Sequence, residues 1–165
     1  MDFNKLLLML LMFILYSPVH EFGHWIVANA DNAEILGVEL FPHIKGDMIA
    51  MGCTVVNEYS FSSLSTLVLF KIAGFLITFI PAVLFFVYLR RRDSKLWDLP
   101  FIWIILAPAA SGNDYLDIGR VTGKIILGKG LYAIGYFVTF IFLCWFLAQI
   151  FLVKGNNSVA LRNRR

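Results

Sequence analysis

Residues 5–28 read KLLLMLLMFILYSPVHEFGHWIVA. A helix of about 20 apolar residues crosses the hydrocarbon core of a bilayer. This run is long enough, so it restricts the chain to a small set of folds. In lipid every backbone polar group must be satisfied internally, which leaves helices or a closed barrel. The start resembles the charged and apolar parts of a signal peptide. However, no small-x-small cleavage site follows, and the apolar character continues through Trp25, Ile26, Val27 and Ala28. The expected element is therefore an uncleaved membrane helix.

Three more segments have this texture. They run from about Leu64 to Leu89, from Leu96 to Ala110, and from Leu131 to Val153. Across 165 residues the chain is 59% hydrophobic and only 15% charged, with a mean hydropathy of +0.77. A soluble core cannot hide that much apolar surface. The expected fold class is an all-α polytopic membrane protein with about four transmembrane helices and a small β segment between the first and second. Residues 1–130 would form the core, with spans at 5–28, 64–89 and 96–110 and the β segment at about 33–57. Residues 131–165 would add the fourth helix and a basic tail.

The β segment differs in texture from its surroundings. AEILGVELFPHIKGDMIAMGCTVVNEY mixes β-branched and aromatic residues with Gly, Pro and Asp, and IKGDM reads as a turn between two short strands. His43 falls at a strand end there. Pro81 predicts a kink in the second span. Lys71, inside that span, is expected to snorkel toward the interface, with the bundle interior as the alternative. The two cysteines, Cys53 and Cys144, form neither a disulfide framework nor a zinc knuckle.

Charge sets the orientation. Lys5, the run Arg90, Arg91, Arg92 and Lys95, and the tail residues Lys154, Arg162, Arg164 and Arg165 share one side. By the positive-inside rule that side is cytoplasmic. The loop after the first span carries Asp31, Glu34, Glu39, Asp47 and Glu58 against a single Lys45, which suits the opposite side. Both termini are then cytoplasmic, and Arg120, Lys124 and Lys129 are discordant. The basic residues form no stripe interleaved with aromatics, so no nucleic-acid partner is expected and the bilayer is the expected environment.

The polar residues inside the first span carry the chemistry. Positions i and i+4 share a helix face, so His20 and His24 of HEFGH can offer two imidazole nitrogens to one ion. Glu21 is placed to act on a water at that ion. This is the H-E-x-x-H arrangement of two zinc ligands and a general base. Chance placement would leave a carboxylate and two imidazoles in lipid, where an ionisable group costs about 3 kcal/mol or more.

A catalytic zinc site takes three protein ligands and leaves one position open. Asp114 and Asp117, in SGNDYLDIGR, are the candidates for the third. Depth supports them. His20 lies 15 residues beyond Lys5 and Asp114 18 residues beyond Leu96, or roughly 22 and 27 Å of helix from one side. SGND is equally a helix start.

These residues resemble the site-2 protease family of intramembrane zinc metalloproteases. HEFGH in a membrane helix, a strand-like segment, one more span and an aspartate-bearing third span are similar to that family's three-helix catalytic core over roughly residues 1–125. The fourth span would be an addition. The family's third ligand is the aspartate of a Leu-Asp-Gly motif, often LDGGR. Leu116, Asp117, Gly119 and Arg120 match it, with Ile118 in place of one glycine, and this points to Asp117. The family's prolines shortly before the aspartate, matched here by Pro108, point instead to Asp114. One helical face can present both, and both stay candidates.

The resemblance implies zinc as cofactor and hydrolysis of a peptide bond in a transmembrane protein substrate, with Glu21 as general base. It also leaves room for partner or regulatory membrane proteins. Such a substrate must unwind, and adding the unwound stretch to a strand edge of the β segment would satisfy its backbone. The competing expectation is a non-catalytic metal-binding or helix-binding membrane protein, such as an inactive relative, a sensor or a transporter subunit.

Overall fold

The computed structural model describes residues 3–41, 43–45, 48–50, 52–92, 94 and 96–162. The chain runs through α1 (Phe3–Ala30), β1 (Ile35–Glu39), β2 (His43–Lys45), β3 (Met48–Ala50), β4 (Cys53–Val56), a single 3-10 turn (Glu58–Ser60), α2 (Leu64–Arg91), α3 (Leu99–Ala110), α4 (Gly112–Val121) and α5 (Ile125–Arg162). Among the described residues three helices are long and apolar enough to cross a membrane: α1, α2 and the Ile125–Ala148 part of α5. α1 and α2 each have 28 residues, about 42 Å of helix. Their outward faces carry exposed leucines, isoleucines and phenylalanines, such as Leu7, Leu10, Leu84 and Phe85.

The expected third span holds only a short helix. Residues 96–110 do not form a membrane-length helix. α3 has only 12 residues, about 18 Å. Pro108 removes a helical N–H, and the chain leaves regular geometry at Ser111, with ψ of 10°. α4 then starts separately. α5 begins at Ile125, upstream of the expected Leu131. Pro81 does not divide α2, which continues from Leu64 to Arg91.

The β segment folds as nested antiparallel pairs. β1 pairs with β4, from Ile35 opposite Val56 to Glu39 opposite Cys53. β2 pairs with β3, His43 opposite Ala50 and Lys45 opposite Met48. The expected turn residues Gly46 and Asp47 lie outside the described residues, as do Lys95, Arg164 and Arg165.

Two features align the ends of the bundle. Lys5 Nζ meets Asp98 Oδ2 at 2.6 Å, so the start of α1 lies beside the start of α3. The depth comparison of His20 with Asp114 therefore counts from one level. Just inside, Phe101 packs with Trp145 and Phe146 of α5 and Phe86 of α2. At the opposite end Ala28, Ala33, Leu67 and Phe70 form a second cluster, which Ile35 and Val56 join from the sheet. Ser63 caps α2, its hydroxyl accepting from the Thr66 N–H at 3.1 Å.

Candidate metal centre

The face of α1 that bears His20 and His24 turns inward, and both imidazoles are buried. Their Nε2 atoms lie 3.2 Å apart. Opposite them, α2 presents Gly74. A Cβ there would come within 2.6 Å of His20 Nε2 and His24 Nε2, so only glycine leaves the imidazoles their space.

Both rings are oriented from behind. The Phe70 carbonyl lies 2.6 Å from His24 Nδ1. A carbonyl only accepts, so this nitrogen carries a proton, and in the neutral ring Nε2 then keeps its lone pair. Tyr16, one turn before His20 and fully buried, places its Oη 3.2 Å from His20 Nδ1. Outer partners of this kind fix the tautomer of a ligating histidine.

Asp114 completes the group. It lies in the first turn of α4, where the helix dipole favours a carboxylate. The break at Ser111 starts that turn beside α1. Asp114 Oδ2 stands 3.3 Å from His20 Nε2 and 3.6 Å from His24 Nε2. Glu21 is also buried, and one ligand atom each of His20, Glu21 and His24 lie within 4.8 Å of one another, so this group could hold a metal ion.

Asp117 goes elsewhere. Its Oδ2 meets Lys71 Nζ at 2.9 Å, and its Oδ1 lies 3.4 Å from Arg120. Glu58 Oε1 closes the network, 2.9 Å from Lys71 and 2.8 Å from Arg120. Burial pushes the Glu58 carboxyl up, but the hydrogen bond and charge of Lys71, helped by Arg120, outweigh it and hold it below its ordinary value. Lys71 itself is 7% exposed, and its ammonium reaches Asp117 and, in the turn before α2, Glu58, both partly exposed. Arg120, discordant by charge rule, is neutralised by Glu58.

A cavity of about 600 Å³ opens over these groups, bordered by His20, Glu21, His24, Asn113, Asp114 and Tyr132 among others. Gly52 and all four residues of β4, Cys53 to Val56, also border it. With five consecutive residues on its border, the cavity follows the strand along its length. β4 pairs with β1 on one side, and among the described residues no strand occupies the other.

Sequence reasoning missed Tyr16, Thr54, Phe70 and the role of Gly74. Tyr16 was legible in principle, as the residue four before His20 on the same face. The other three belong to elements whose placement only the fold supplies. In comparisons with known proteins, no family model, no curated protein and no solved structure matches this chain.

Proposed function

We propose that this chain is a multi-pass membrane protein with both termini cytoplasmic, and a zinc-dependent intramembrane endopeptidase. The observation that carries the reading is the triangle formed by His20 Nε2, His24 Nε2 and Asp114 Oδ2, with edges of 3.2, 3.3 and 3.6 Å. Zinc held tetrahedrally by nitrogen and oxygen at 2.0–2.2 Å needs donor atoms about 3.4 Å apart. In the ligating tautomer the three atoms are unshared electron pairs facing one another, an arrangement that a cation stabilises.

His20, His24 and Asp114 would hold the ion, and Asp117 would not. Bound zinc supplies a Lewis acid that lowers the pKa of water toward neutrality. Glu21 takes the proton as water oxygen bonds to the peptide carbonyl carbon, and returns it to the amine as the carbon–nitrogen bond breaks. The edge of β4 receives the unwound transmembrane substrate and satisfies its backbone N–H and C=O groups. A site that only stored or sensed a metal has no use for Glu21 as a further buried carboxylate beside the ligands.

The test is cleavage of a single-span protein substrate by purified chain in detergent. Wild type should cut, and Glu21→Gln should keep its zinc and not cut. A Glu21→Gln variant that cleaves like wild type would remove the general base and with it this mechanism.

A further inference from the structure

α1 divides its polar residues between two faces. His20 and His24 look toward α2 and Asp114. Ser17 and Glu21, also four apart, look toward the β segment. Three contacts seat that segment on α1. Ser17 Oγ donates to the Leu40 carbonyl at 2.8 Å. Gly52, at φ +143°, lies so close that a Cβ there would meet Ser17 Oγ at 2.5 Å and Glu21 Cγ at 3.1 Å. Thr54 Oγ1 donates to Glu21 Oε2 at 2.9 Å.

We infer that Thr54 is the positioning residue for Glu21, holding one carboxylate oxygen so that the other is aimed to exchange the proton. The inference rests on the peptidase reading. A threonine hydroxyl has a single proton to give. The backbone carbonyl of Glu21 competes for it at 3.4 Å, so the carboxylate at 2.9 Å takes it. Glu21 is 6% exposed, so water does not substitute freely for this donor. A bond to a charged acceptor is also stronger than one between neutral groups. Thr54 sits within β4, the strand that borders the cavity. The element that receives the substrate therefore also orients the base, and a misplaced strand would leave Glu21 without its restraint.

The test uses the full chain in detergent with Thr54→Val, which keeps the shape, and Thr54→Ser, which keeps the hydroxyl. Val should lower kcat about tenfold or more, the worth of a hydrogen bond to a charged group. KM and zinc content should not change, and Ser should stay within about threefold of wild type on the same scale. Infrared difference spectra against the matching Glu21→Gln chains isolate the Glu21 carboxylate band. That band should shift in Val and not in Ser. An unshifted band, an unchanged kcat in Val, or a Ser variant as impaired as Val would overturn the inference. Should wild type cleave nothing, the peptidase reading falls, and the band still decides the Thr54–Glu21 bond: a shift supports it and an unmoved band overturns it.

Discussion

Asp114 Oδ2 stands 3.3 Å from His20 Nε2, while Asp117, three residues on, pairs with Lys71. One helix thus carries two carboxylates in separate roles. Asp114→Asn should weaken zinc binding by more than the roughly 100-fold that loss of an outer partner costs. Asp117→Asn should keep zinc and lose stability instead. Competition against a chromophoric chelator measures the first effect and thermal unfolding in detergent the second.

Tyr16→Phe removes only the hydroxyl behind His20. Zinc affinity should fall roughly 10–100-fold, as for other outer-shell losses. The same chelator titration reads it.

Gly74→Ala would place a methyl 2.6 Å from both imidazole Nε2 atoms. The rings must move, so the variant should bind no zinc while its helix content by circular dichroism stays at the wild-type level. Gly130→Ala, whose Cβ would meet open space, is the control and should bind zinc normally.

How much of this was legible in the sequence differs by element. HEFGH showed two imidazoles and a carboxylate on one helix because spacing along a single helix is local information. Depth counting brought Asp114 and Asp117 to the same level, but choosing between them needed the rotation of α4, which Lys71 and Glu58 help to fix across three elements. The role of Gly74 was not legible, because nothing local says that two histidines from another helix press against it. The third segment is apolar throughout, but the turn at Ser111 ends its helix at 12 residues, and composition alone does not show that end.

The Lys71 network predicts a pH dependence of stability. Glu58 is held below its ordinary 4.5 in the folded chain. A depressed carboxyl stabilises the fold fully above its unfolded value and loses that contribution as pH falls through the folded one. Glu58→Gln should therefore be less stable than wild type near neutral pH, by about 1 kcal/mol given the partial exposure of the pair. The gap should close as pH falls below 4.5, the ordinary value of this carboxyl. Unfolding of both chains across pH 3–7 measures it.

The most direct measurement is the zinc content of detergent-purified wild type, His20→Ala, Glu21→Gln, Asp114→Asn and Asp117→Asn. The account predicts about one zinc per chain in wild type, Glu21→Gln and Asp117→Asn, and none in His20→Ala and Asp114→Asn. Zinc-free wild type under every metal supplement, or zinc retained by Asp114→Asn and lost from Asp117→Asn, would contradict it.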